Sequence, residues 1–176
     1  EIYNQITDKE KAEALGIDKI PATAVIGAKD YGVRFYGIPS GYEFTSLVED
    51  IVDVSRGQTS LSTRTLELLA RLKEPMHIQV FVTPTCPYCP SAVRLAHSLA
   101  IASDLVRADM VEAIEFPQLA NKFKVQGVPR TVVNGAASFE GALPAPLFVA
   151  RVLQAAGAMT EDEVQALTAQ LSAKSR

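Results

Sequence analysis

Cysteine is scarce in this chain of 176 residues: there are two, Cys86 and Cys89, in the stretch FVTPTCPYCPSA. Two thiols exclude a disulfide-built scaffold, so the pair either does chemistry, binds metal, or closes one small loop. Histidine is equally sparse, with His77 and His97 alone. No uninterrupted apolar run approaches the ~20 residues of a membrane span, because LPAPLFVARVLQAAGAM is broken by prolines and Arg151. Nothing at the start reads as a signal peptide. Clustered basic charge is also missing: the net charge is −3 and the Lys and Arg residues are scattered, which argues against a nucleic-acid or anionic-membrane surface. With 48% of positions hydrophobic, the chain can bury one good-sized core or two small ones. The expectation is a globular protein with protein or small-molecule partners and no metal or cofactor.

Local patterns place the two cysteines. HIQVFV at 77–82 is rich in β-branched and aromatic residues and runs into TPTCPYCP, whose prolines end a strand. Beyond it Ala92, Leu95, Ala96 and Leu99 recur at helical spacing, with Pro90 acceptable in a first turn. The unit is therefore strand, Cys-x-x-Cys, helix. A strand around 108–114, a short helix over 117–123, a hairpin turning at Asn134-Gly135 and a helix over 145–156 are expected to follow. Thr160 with Glu163 is a capping-box pair that predicts a last polar helix in the tail. An amphipathic helix is expected near 60–73, before the first strand. A helix between two strands implies a parallel crossover, and a terminal hairpin adds antiparallel strands, so the fold class is α/β, a mixed sheet covered by helices.

The front of the chain repeats the back. ALGIDKIPATAVIG aligns with KFKVQGVPRTVVNG, which sets Pro21 opposite Pro129, and LVEDIVDVSRG aligns with VARVLQAAG. The expected division is residues 1–57, an incomplete first unit without a dithiol; residues 58–159, a unit with the dithiol; and residues 160–176, a polar helix or tail. The first unit should hold a helix near 8–15, a hairpin over 22–36 and a helix near 43–55. A lone hairpin is marginal and its edge is open to pairing. It should be held by packing on the second unit or by a segment before Glu1, as expected of a chain that is the trailing part of a longer protein.

The spacing favours a redox pair over its alternatives. A cysteine at a helix N-terminus faces unpaired N–H groups and the positive end of the helix dipole, which stabilise the thiolate that attacks disulfides. In Cys-x-x-Cys motifs the thiol pKa falls from ~8.5 into ~3.5–7.5. Cys86 occupies that position, and Cys89, three residues on, is placed to resolve a mixed disulfide. A purely structural bond would contribute only roughly 2 kcal/mol for a loop of about four residues. A closed zinc site needs four ligands, and His77 at the start of a strand and His97 two turns into a helix should not converge with the cysteines. His97 itself reads as a partly exposed helix residue. Pro129 is either an ordinary turn proline or a cis one, and cis is found in only ~5–6% of X–Pro bonds.

VFVTPTCPYCP together with VQGVPRTVVNG resembles the protein disulfide oxidoreductases of prokaryotes, glutaredoxin-like proteins with two thioredoxin-fold units, over nearly the whole chain. The resemblance implies a thioredoxin-like fold in tandem units, the first incomplete, and a cytoplasmic enzyme exchanging thiols with protein disulfides. It implies Cys86 as nucleophile, Cys89 as resolver and a cis Val128-Pro129 loop as the platform for a substrate peptide. Tyr88 and Arg130 would border that platform, and Thr85 and Pro87 would shape the turn. Arg130 is expected to favour the thiolate, so that Arg130→Glu raises the Cys86 pKa. The partners implied are protein disulfide substrates and a thioredoxin-reductase-type electron donor. Two positions depart from related patterns. Val80 stands where thioredoxins carry a buried acid, which leaves Cys89 without an identified proton acceptor, and FEGALP replaces the Gly-Gly-acid of glutathione-using glutaredoxins. Two other readings stay open: an electron-relay module, since the amino-terminal domain of the alkyl hydroperoxide reductase flavoprotein is similar, and a peptide-binding module with an incidental dithiol.

Overall fold

The computed structural model describes residues 1–174. In chain order it contains α1 (Lys9–Ala14), β1 (Ala22–Ile26), β2 (Asp30–Tyr36), α2 (Glu43–Arg56), α3 (Thr63–Leu69), β3 (Met76–Val82), α4 (Cys89–Ala102), β4 (Val106–Glu112), α5 (Pro117–Lys122), β5 (Arg130–Val133), β6 (Ala137–Glu140), α6 (Ala145–Ala155) and α7 (Glu161–Lys174). The strands form one six-stranded sheet in the order β1-β2-β4-β3-β5-β6. β3 and β4 run parallel through the α4 crossover, and both hairpins add antiparallel pairs, so the sheet is mixed.

β3 and β4 are central and covered on both faces, which is why HIQVFV reads as a continuous apolar run rather than an alternating one. Val80 and Val82 join the larger core under α4 and α6, while Phe81 points to a smaller cluster with Tyr36, Val111, Val132 and Phe116 ahead of α5. The Asn134-Gly135 turn has φ of 51° and 66°, the left-handed pair that a tight hairpin requires, closed by the Ala136 N–H on the Val133 carbonyl at 3.1 Å. β4 starts and stops two residues earlier than expected, because Glu112 turns the chain: its carboxylate accepts the Glu115 N–H at 2.5 Å. The helix expected over 60–73 is shorter, capped by Ser62, whose hydroxyl accepts the Thr65 N–H at 3.2 Å. The Thr160–Glu163 capping box forms, with Thr160 N–H on Glu163 Oε2 at 2.8 Å and Glu163 N–H on Thr160 Oγ1 at 3.3 Å. The helix it opens is not merely polar, since Val164 and Leu167 enter the core. Residues 175–176 of that expectation lie outside the described residues.

The front hairpin is secured by backbone pairing. β2 lies parallel to β4 with Val33 opposite Ala108 and Tyr36 opposite Val111, and Val33, Phe35 and Tyr36 are fully buried. α2 then packs beside α4 with an inverted face: Glu43, Ser46, Asp50 and Val54 are buried, while Phe44, Val48, Ile51 and Val52 are exposed. The peptide bonds Ile20–Pro21 and Val128–Pro129 are both cis, and in each hairpin a glycine N–H, of Gly37 or Gly141, closes on the proline carbonyl at 2.9 Å.

Candidate active site

β3 ends at Val82, and the Cys86 N–H turns back to the Thr83 carbonyl at 3.1 Å to form the bend that leads into α4. Cys89 is the first residue of that 14-residue helix and Pro90 follows in its first turn, where the missing N–H costs nothing. Cys86 and Cys89 are joined in a disulfide with their Cα atoms 5.5 Å apart. Cys86 is 7% exposed and Cys89 is wholly buried, so an incoming sulfur reaches Cys86 first. The Cys89 N–H donates to Cys86 Sγ at 3.1 Å, a bond that strengthens when Cys86 carries the negative charge of a thiolate. Attack on Cys86 would send the electron pair of the broken S–S bond to Cys89, whose thiolate then needs a proton. Thr85, Pro87 and Tyr88 form the exposed rim, with Tyr88 70% exposed. The two histidines are each committed to a carboxylate: His77 Nε2 to Asp109 and His97 Nδ1 to Asp50, both at 2.6 Å.

Val128 packs on the apolar cluster that contains both cysteines, and Pro129 is buried behind it. The next residue, Arg130, starts β5 and turns its guanidinium to the adjoining strand, donating to Glu140 Oε1 at 2.6 Å and Ser138 Oγ at 2.8 Å.

One wall of the site comes from the front of the chain. The loop before α2 lies on the dithiol turn: the Tyr42 N–H donates to the Pro84 carbonyl at 3.2 Å, and a Cβ on Gly41 would stand 2.2 Å from that oxygen. This contact requires glycine there, in its left-handed conformation at φ 59°. Next in sequence is Glu43, 1% exposed, with neither carboxylate oxygen hydrogen-bonded among the described residues. Burial pushes its carboxyl above the usual range. The Ser46 hydroxyl, close by but short of full hydrogen-bond geometry, and the His97 charge pull it down, and Asp50 adds to the rise. α2 and α4 both begin at this end of the sheet, so Glu43 caps the seam whose α4 side is opened by Cys89.

His97 corrects the sequence expectation: it is wholly buried, not partly exposed, because α2 covers the helix face that local periodicity leaves to solvent. Glu43, Asp50 and His97 were not singled out from sequence as site residues. The available signal was the spacing of polar residues on the two helices, Glu43, Ser46 and Asp50 on one and Arg94 and His97 on the other, read as facing stripes.

Residues 76–154 match the thioredoxin domain family. Among solved structures, a protein disulfide oxidoreductase from Aeropyrum pernix is 34% identical and superposes with a TM-score of 0.81, covering 89% of this chain and 68% of that one. The F subunit of alkyl hydroperoxide reductase from Enterococcus faecalis is 30% identical with a TM-score of 0.75, covering 81% and 69%. Among curated sequences, the corresponding F subunit from Pseudomonas putida is 26% identical over 137 residues, and an NADH dehydrogenase of Bacillus subtilis is 27% identical over 128. These alignments take in 78% and 72% of this chain but only 26% and 24% of the curated relatives, so the chain spans about a quarter of their length.

Proposed function

Since the chain belongs to the thioredoxin-domain family and is a thiol–disulfide oxidoreductase exchanging its Cys86–Cys89 pair, we propose that its substrates are disulfides of other proteins, handled in the glutaredoxin-like manner of its CPYC turn. The observation that carries this reading is the asymmetry of the pair: a reachable Cys86 that accepts the Cys89 N–H, and a fully buried Cys89 one helical turn behind it. In reduced form Cys86 attacks a substrate disulfide and forms the mixed disulfide. Cys89 then gives up its proton and displaces the substrate thiolate, closing the Cys86–Cys89 bond. Val128 and Pro129 offer the backbone on which an extended substrate segment lies, Tyr88 and Arg130 border it, and Thr85 and Pro87 hold the turn. Glu43 serves as proton acceptor for Cys89: it is buried and unpaired, its raised pKa lets it hold a proton closer to neutral pH, and its loop rests on Pro84. The three-part division at 57 and 159, with a redox-silent first unit, belongs to the same reading and is supported by the matched cis-proline hairpins. So does a cytoplasmic setting; no helix among the described residues is long and apolar enough to cross a membrane.

Reduction of insulin disulfides by dithiothreitol tests the proposal. The chain should accelerate precipitation of the insulin chains over reagent alone, and Cys86→Ser should abolish the gain. No acceleration would refute the protein-disulfide reading and leave a peptide-binding module or a dedicated electron relay. The likeness to the alkyl hydroperoxide reductase chains favours a second reading, a relay that takes electrons from a reductase-type partner and passes them to a peroxide-reducing one. Rapid reduction of Cys86–Cys89 by a flavoprotein reductase, with no activity on insulin, would select it.

A further inference from the structure

The polar seam between α2 and α4 is longer than Glu43 alone. It holds Glu43, Ser46 and Asp50 on α2 and Arg94 and His97 on α4, with Glu49 and Asp53 flanking Arg94. Four of its buried atoms, both Glu43 oxygens, Ser46 Oγ and His97 Nε2, have no hydrogen-bond partner among the described residues, and they come from three side chains on the two facing helices. On its other nitrogen His97 is held by Asp50 at 2.6 Å, and its ring meets the Phe35 ring edge-on at 4.9 Å. Asp50 in turn pairs with Arg94 Nη1, and Arg94 reaches Glu49 at 3.0 Å and Asp53 at 2.5 Å. Asp50 is fully buried, whereas Glu49 is 56% exposed, so the chain of polar groups runs from core to solvent. The strands beneath add Phe35, Val80 and Met110 to this face, together with Thr131, in register with Val80, and Glu112, in register with Val82, each with one buried oxygen that has no hydrogen-bond partner among the described residues.

Burying unpaired polar atoms costs about 1–3 kcal/mol each and gives no packing advantage over leucine, so a merely structural seam would be expected to saturate its hydrogen bonds. A histidine with one nitrogen fixed by a carboxylate and the other unpartnered, and near enough to an acid for its charge to act on it, as His97 is to Glu43, is instead an arrangement in which a proton can be taken on one side and released on the other. We propose that His97, oriented by Asp50, is a positioning residue for Glu43: it passes the proton that Glu43 receives from Cys89 on by way of the Asp50 carboxylate toward the carboxylates of Glu49 and Asp53 at the surface, and returns one in the reverse direction. This rests on the reading of Glu43 as proton acceptor. In the resolving step the Cys89 S–H proton moves to the Glu43 carboxylate, the Cys89 sulfur bonds to Cys86 Sγ, and the Cys86–substrate bond breaks with its electron pair leaving on the substrate sulfur. His97 then takes the proton from Glu43, so that the carboxylate is restored for the next turnover.

The test is stopped-flow oxidation of the reduced full chain by an aromatic disulfide that releases a coloured thiolate. The first equivalent released reports attack by Cys86, and the second reports resolution by Cys89. Glu43→Gln should slow the second phase roughly a hundredfold and His97→Asn roughly tenfold, the second variant also moving the acid limb of the pH profile upward, while the first phase is unchanged. The double variant should resolve no more slowly than Glu43→Gln alone, because His97 acts through Glu43. If Glu43→Gln resolves at the wild-type rate, the proton-acceptor reading fails and this inference with it. If Glu43→Gln is slow but His97→Asn keeps both rate and pH profile, or if the two effects multiply, the relay is overturned while Glu43 stands. Should His97→Asn not fold, Asp50→Asn, which keeps a hydrogen-bonding side chain but removes the charge orienting the ring, carries the same expectations in the same assay.

Discussion

Glu43→Gln should damage turnover and stabilise the fold, and the second effect follows from linkage. Glu43 titrates near 4.5 in the unfolded chain and higher in the folded one, because burial penalises the carboxylate. Between those two values the folded state binds more protons than the unfolded state, so stability falls as the pH rises through the window and stays low above it. Each unit of displacement is worth about 1.4 kcal/mol. An orphaned buried polar group independently suggests a cost of about 1–3 kcal/mol. Glutamine carries no charge at any pH and escapes this loss. Urea unfolding of the disulfide form should therefore show near-equal stability for the two proteins at pH ~4, with the variant ahead by about 1–3 kcal/mol at pH ~8. All other titrating groups are shared, so the difference between the curves reports Glu43 together with its coupling to His97 and Asp50. Parallel curves across the range, or a wild type that gains on the variant as pH rises, would refute the claim that this carboxyl is held unpaired and pushed upward.

Three further outcomes can be checked. Cys86→Ser should form no mixed disulfide, while Cys89→Ser should accumulate one that intact-mass analysis detects; faster alkylation of Cys89 than of Cys86 at acid pH would reverse the two roles. Phe148→Ala empties a fully buried site beside Phe139, whose ring lies 5.4 Å away, and should cost about 3–5 kcal/mol in urea unfolding, a loss below ~1 kcal/mol showing that the core closes over the gap. Thr160→Ala removes the hydroxyl half of the capping box and should cost about 1 kcal/mol, with amide exchange quickening first in α7.

What was legible in the sequence was what local chemistry decides. A β-branched run that meets prolines has to be a strand that stops, Asn-Gly between apolar runs has to turn, and a cysteine pair before a helical repeat has to sit at that helix's positive end. The front helix was placed to within a residue, 43–55 against Glu43–Arg56, yet its inward face could not be read. Amphipathic reasoning buries Phe44, Val48 and Ile51 and exposes Glu43, Ser46 and Asp50, the reverse of what is found. Those three polar residues are buried because α4 presents Arg94 and His97 to them, and although each helix carries its own polar stripe, neither segment shows that the two stripes, some 45 positions apart (Asp50 to His97 spans 47), face each other. The same holds for β2, whose partner β4 lies beyond three helices and another strand.

The missing acid beneath the dithiol and the redox-silent front half are two sides of one arrangement. β3 is central in the sheet, and Val80 contributes to a core already closed by α4 and α6. An acid at that position would have to be desolvated among apolar neighbours, so the strand below the cysteines is a poor place to recover the lost proton acceptor. The helix beside α4 is open to polar groups, and α2 fills it only because β2 pairs in register with β4 and the Gly41–Tyr42 loop closes on Pro84. On the proposed reading, residues 1–57 are therefore not an idle remnant of a repeat: having no dithiol of their own, they supply the acid that the dithiol of the second unit uses. Weakening the β2–β4 junction should consequently slow Cys89 before it unfolds the strands around it.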